Sequence, residues 1–232
     1  MDTMRSNFLL RKLATILAIA MFALCLIAAI TGVSIAFYYT PSTTGANASI
    51  AYINNQVNNG WLIRSLHNIA GNGLIAVSLV QIIVMFFGRE LLGGWIVGWI
   101  SGIFLTLSAI GLGWTAMNLE WSQLGYWRLN IELSIIESVP FIGQFLRQLL
   151  LGGDTVNTIS LEHLYTIHSY LLAAVALGLS LVHLVSTFIN SLAPLAEPLV
   201  PSIAPPSEPA TTDEVEPNSL SNSIPDTSSI KR

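Results

Sequence analysis

Three of the four histidines in the 232-residue chain, His67, His168 and His183, fall well inside long apolar stretches, and His163 lies at the very start of the last of these. An imidazole in such surroundings is costly without a partner, so each one marks a candidate site. Read as helices, the second and fourth stretches carry His67 and His168 six or seven residues from their starts, at similar depth. Two neutral imidazoles at matched depth can clamp a haem iron axially. They can also hydrogen-bond across helices with no metal between them. Residue types and spacing alone leave both readings open.

His183 follows His168 by 15 residues, about 22 Å further along a helix. The matching position on the second stretch is Gln81, about four helical turns after His67. At about 100° per residue that interval returns to nearly the same face, so Gln81 and His67 share a side of their helix. The pattern is the frame of a two-site bundle with an amide at one of its four ligand positions.

The elements that must hold these residues follow from composition. Charged residues make up 9% of the chain and mean hydropathy is +0.65, against about 25% charge in ordinary soluble domains. Four apolar stretches, roughly 13–39, 61–87, 95–117 and 161–189, are each long enough for the ~20 residues a bilayer core requires. The first is too long for a signal peptide and lacks a small-residue cleavage site. The expected fold is therefore an all-α membrane protein, a four-transmembrane-helix bundle over 13–193 preceded by a short N-terminus, 1–12. Residues 118–160, with Pro140 and scattered charges, read as an extramembrane connection containing short surface helices. From 194 to 232 the sequence turns rich in Pro, Ser, Thr and acidic residues, the composition of a disordered tail.

Charge sets expectations for orientation and partners. The seven Lys/Arg and seven Asp/Glu of residues 1–196 cancel, and the net charge of −4 comes from the tail. Nothing is basic enough for nucleic acid. Arg5, Arg11, Lys12, Arg89, Lys231 and Arg232 fall on one side of the membrane, and Arg64, Arg128 and Arg147 on the other, which predicts cytoplasmic or stromal termini. The single cysteine, Cys25, allows no internal disulfide and reads as a small packed hydrophobe. Gly94, Gly98 and Gly102 form a small-residue stripe suited to close helix packing within the bundle. His163 reads as a loop or cap residue. Glu132 and Glu137 read as solvated surface residues in preference to proton-releasing groups. The tryptophans suit interfacial belts, with Trp99 and Trp114 as candidate interior packers.

Several motifs carry a family resemblance. The run Gly60-Trp61-Leu62-Ile63-Arg64-Ser65-Leu66-His67, the Thr31-Gly32 and Phe37-Tyr38-Tyr39-Thr40-Pro41 segments, Trp121-Ser122-Gln123-Leu124-Gly125-Tyr126-Trp127, Pro140-Phe141-Ile142-Gly143 and Tyr165-Thr166-Ile167-His168 keep a fixed relative spacing up to His183. Together they resemble the cytochrome b/b6 family, on its b6 branch, over most of the chain. The 15-residue histidine spacing and the end of the chain after four helices favour that branch.

The resemblance implies one haem b with axial ligands His67 and His168, on the lumenal or periplasmic side. It also implies Arg64 as a propionate partner, a charge-assisted role, and it counts Gly32 and Gly113 among the cofactor-binding residues. The basic residue that follows the first ligand in the family is Asn68 here. At the other membrane face the departures accumulate. Gln81 replaces a ligand, Ile16 stands where the family tethers a covalent c-type haem, and Val84, Leu92 and Phe188 replace basic residues. Gly32 and Gly102 match family glycines, whereas Ala18 and Ala116 replace them, one near each haem. The second haem is therefore read as lost and no covalent haem is expected.

Three readings of the possible second site, His183 with Gln81, remain: an interhelical hydrogen bond, a five-coordinate haem on His183, or a Gln-ligated haem. The implied function is a monohaem electron-transfer subunit linked to quinol, in a thylakoid or bacterial plasma membrane. Quinone and the subunits of a b6f-like or other photosynthetic redox complex are the partners this implies. The quinol site of that family also needs a Pro-Glu-Trp-Tyr motif from a second subunit, which this chain lacks. The alternative is a non-catalytic structural or regulatory paralogue associated with such a complex.

Overall fold

Helix α1 (Asp2–Ala36) turns mostly small residues inward and β-branched ones outward: Ala14, Ala18 and Cys25 are buried with Met21, while Ile16, Ile19, Ile30 and Val33 are exposed. That inversion of the soluble-protein pattern suits a helix whose outer face meets lipid and whose inner face must approach neighbours closely. The computed structural model describes residues 2–88, 95–153 and 155–192. The predicted tail 194–232, Arg89, Leu92, Gly94, Lys231 and Arg232 lie outside the described residues, as does the side chain of Arg5.

After α1 come α2 (Ala46–Gln56), α3 (Gly60–Phe87), α4 (Ile96–Leu119), α5 (Gln123–Glu137), α6 (Gly143–Leu151) and α7 (Thr158–Thr166). A π-helical segment, Ile167–Leu172, then leads without a break into α8 (Ala173–Leu192). Among the described residues, four spans are long and apolar enough to cross a membrane: Phe8–Ala36, Gly60–Phe87, Ile96–Leu119 and Thr158–Leu192. The expected bundle is thus present. The fourth span starts at Thr158, so His163 sits within α7 and not in a loop before it.

The main interfaces join α1 to α3, α3 to α4, α4 to α8 and α8 to α1. The four spans therefore form a ring, with α3 and α8 on one diagonal and α1 and α4 on the other. Three apolar layers stack along it. Met21, Cys25, Leu74, Leu105, Ala109 and Ala176 form the middle layer. Ala14, Val84, Met85 and Trp95 lie toward the end that holds the start of α1 and the end of α8, where the Arg11 guanidinium donates to the Asn190 carbonyl. We call this the terminal end. At the other, connection end, Leu119, Leu129, Leu133, Leu151 and Leu164 join α5 and α6 to the bundle.

Local chemistry fixes where α3 and the fourth span begin. Asn59 adopts a left-handed conformation (φ 56°) before α3, and a Cβ at Gly60 would collide with the Ile53 carbonyl, so only glycine fits that corner. Asn157 caps α7 through its side chain, and Ser160 reciprocates to the Asn157 N–H. These two starts set the depth of His67 and His168.

Candidate functional site

At the connection-end level of the bundle, the rings of His67 and His168 face each other across the α3–α8 diagonal, with centroids 6.4 Å apart and planes inclined by 59°. Both are partly exposed. His67 Nδ1 donates to the Ala28 carbonyl at 2.9 Å, and Thr31 Oγ1 stands 3.2 Å away. A carbonyl can only accept, so the proton is on Nδ1 and Nε2 keeps its lone pair. His168 Nδ1 lies 2.7 Å from Thr115 Oγ1. That hydroxyl spends its own proton on the Gly111 and Leu112 carbonyls, so it accepts from the imidazole. Both rings thus have Nδ1 anchored outward and Nε2 free to act as a ligand atom.

The spacing fits a single metal between the rings. A metal–imidazole bond is about 2 Å, so two imidazoles opposed across one ion have centroids about 6 Å apart. Gly32 is part of this fit: a Cβ there would stand 3.0 Å from His67 Cε1. Gly113 is not beside either ring; a Cβ there would meet Ile75 at 3.0 Å. Arg64, one turn before His67, pairs with Glu120 at 3.0 Å, with both side chains partly solvent-exposed. The donor set, two neutral imidazoles with fixed tautomers, suits a haem iron.

At the terminal-end level, about 21 Å away along the helices, the same frame is filled differently. His183 Nδ1 donates to the Gly98 carbonyl at 2.9 Å, with Ser101 Oγ at 3.4 Å, and a Cβ at Gly102 would stand 3.0 Å from His183 Cε1. His183 Nε2 is therefore an acceptor, and the Gln81 amide nitrogen donates to it at 3.0 Å. His183 and Gln81 are both fully buried, and Gln81 Oε1 has no hydrogen-bond partner among the described residues. Two ligand atoms on opposite sides of one iron need about 4 Å between them, so this pair is closed.

The two levels are related by a repeat that sequence reading missed. On α4, the hydroxyls of Ser101 and Thr115 serve His183 and His168, yet they stand one position closer in sequence than the two histidines do. The π-helical segment supplies the reconciliation. Within it the Ala173 N–H reaches back five residues to the His168 carbonyl, so the wider turn absorbs the extra residue. The odd histidine spacing was the only signal of this in the sequence.

Other expectations fall as follows. Cys25 is buried in the middle layer, and Gly98 and Gly102 both face α8. Glu132 is not a freely solvated carboxylate: it accepts from Trp114 Nε1 at 2.6 Å and from Arg128 at 2.5 Å, tying α5 to α4. Glu137 pairs with Arg147 at 3.3 Å. Tyr39, just beyond the first span, donates to the Leu119 carbonyl at 2.7 Å, and burial pushes its phenol pKa up.

Comparison with known proteins agrees with this architecture. Residues 7–190 match the family model described as Cytochrome b/b6/petB. The chain is 32% identical to cytochrome b6 of Auxenochlorella protothecoides over 166 residues, 70% of this chain and 75% of that one. It is 35% identical to cytochrome b6 of Mastigocladus laminosus over 146 residues, 61% of this chain. For that protein and for cytochrome b6 of Euglena gracilis, at 33% identity, the match spans 66% of the relative's length. Among solved structures, a chain of a hyperthermophilic respiratory complex III superposes with a TM-score of 0.58 at 26% identity. That match covers 76% of this chain and 47% of the other. With four-fifths of its residues matched, four spans in a ring and opposed histidines on the α3–α8 diagonal, the chain belongs to the cytochrome b/b6 family of integral membrane proteins.

Proposed function

We propose that this protein is a membrane electron-transfer subunit holding one haem b between His67 and His168. In this reading the second site is closed by Gln81 and His183. When bound, haem b supplies a reversible one-electron couple at its iron. The chain's own residues hold two imidazoles at matched depth with Nε2 free, set their tautomers through Nδ1, and carry Arg64, paired with Glu120, one turn away. The observation that carries the proposal is the contrast between the levels: 6.4 Å between ring centroids at one, a direct 3.0 Å hydrogen bond at the other.

The cofactor then lies on the lumenal or periplasmic side, with the termini cytoplasmic or stromal, in a thylakoid or bacterial plasma membrane. Its electron source is quinol, and its setting is a b6f-like or other photosynthetic redox complex. Without a second haem the chain carries no complete relay across the membrane.

Haem b per polypeptide, measured by pyridine haemochromogen on detergent-purified protein, tests the proposal. One haem in wild type and none in His168→Ala supports it. Two haems in wild type, or none, would sink it. Whether the haem is reduced by quinol separates electron transfer from the structural or regulatory alternative, in which the haem stays inert while partners co-purify.

A further inference from the structure

Each anchored histidine meets the same three-part device on a neighbouring helix. A hydroxyl residue stands beside Nδ1, the carbonyl three residues before it accepts or lies within reach, and the residue after it is small. The sets are Thr31 with Ala28 and Gly32 for His67, Thr115 with Leu112 and Ala116 for His168, and Ser101 with Gly98 and Gly102 for His183. Stepping about four turns back from Thr31 along α1 reaches the fourth station, and there the hydroxyl position is Leu17. The same step along α3 leads from His67 to Gln81. Hydroxyl and histidine are present together three times and absent together once.

We infer that Thr115, and more weakly Thr31, are positioning residues that set the redox potential of the haem through the Nδ1 protons of His168 and His67. The inference rests on the haem reading above. Thr115 carries more of the effect because its hydroxyl stands 2.7 Å from His168 Nδ1, the shortest of the three hydroxyl–histidine contacts. His67 has the Ala28 carbonyl at 2.9 Å as well as Thr31 at 3.2 Å. An acceptor on Nδ1–H makes the imidazole a stronger electron donor through Nε2. A stronger donor favours ferric over ferrous iron, so removing the acceptor raises the midpoint potential. Hydroxyls that back-bond to their own helix are common in membrane spans. What marks Thr115 is that its second lone pair is directed at the ligand.

The experiment is a redox titration of purified full-length protein, followed by haem absorbance, with ferric EPR on the same samples. Thr115→Val should keep its haem and shift the ferric–ferrous equilibrium about tenfold toward ferrous, which for one electron is about 59 mV upward. Thr115→Ser should restore the wild-type value, and Thr31→Val should shift in the same direction by about threefold. Ser101→Ala, at the other level, should leave potential and EPR signature unchanged. An unmoved potential in a haem-loaded Thr115→Val overturns the inference, as does Thr115→Ser behaving like Thr115→Val. If Thr115→Val loses its haem, Thr115→Ser and Thr31→Val decide: wild-type and raised potentials support the inference, and an unmoved Thr31→Val overturns it. A haem-free wild type, or a shift in Ser101→Ala with none in Thr115→Val, would instead overturn the haem reading itself.

Discussion

The two polar levels of this bundle are built on one plan and finished differently. At the connection end, two imidazoles stand apart, partly exposed, with their inner nitrogens uncommitted. At the terminal end, an imidazole and an amide meet directly and are fully buried. A middle layer of Met21, Cys25, Leu74, Leu105, Ala109 and Ala176 separates them. The cradle is alike at both levels even though the partners differ: Gly102, Gly98 and Ser101 hold His183 whose partner is an amide.

The sharpest way to break this comparison is to crowd each cradle in turn. Gly32→Val puts a branched side chain where even a Cβ would stand 3.0 Å from the His67 ring. Haem content should fall from one per chain to near zero. Gly102→Val does the same to His183 at 3.0 Å and should leave haem content at the wild-type level. Equal loss in both, read as the haem-to-polypeptide ratio, would mean that the levels are not functionally distinct.

A smaller effect is expected from emptying the closed level. His183→Leu strands the Gln81 amide in the core and should destabilise the protein by about 1–3 kcal/mol. The double variant Gln81→Leu/His183→Leu removes both partners and should come close to wild type. Membrane hydrogen bonds are worth only about 0.6 kcal/mol on average. Unfolding in mixed micelles measures both, and neither variant should lose haem. A haem deficit in His183→Leu would show that the closed level carries cofactor after all.

The smallest effect belongs to the rim of the connection end. The Tyr39 hydrogen bond to the Leu119 carbonyl is worth about 1 kcal/mol, which Tyr39→Phe should lose. Its phenol pKa is raised in the folded protein by burial, whereas an unfolded tyrosine titrates near pH 10. Above about pH 10 the unfolded chain sheds a proton that the folded one retains, so wild-type stability should fall there. The Phe variant should lack that step. A fall of equal size in both would assign the titration elsewhere.

Much of the architecture was legible because transmembrane helices advertise themselves by length and apolarity, and because His67, His168, His183 and Gln81 are conspicuous in apolar runs. The contrast at Gln81 was also readable, since one amide stood where spacing called for an imidazole. The anchoring hydroxyls were not. Thr31, Ser101 and Thr115 look like any hydroxyl bonded back to its own helix, and only the placement of a neighbouring ring distinguishes them. Glu132 was misread for a similar reason: Arg128 lies one turn before it on α5, but Trp114 belongs to α4 and reaches it only because of the α4–α5 corner.

The π-helical turn at Ile167–Leu172 makes one residue of the fourth span geometrically silent. His168 and His183 meet hydroxyls on α4 that are spaced one position more closely than the histidines themselves. The chain thus carries a ruler with an extra mark and no extra length. Deleting one residue within that turn would return it to the ordinary α-helical repeat and leave both histidines in register with their hydroxyls. Counting residues between two such histidines is therefore a poor guide to whether two proteins place them alike.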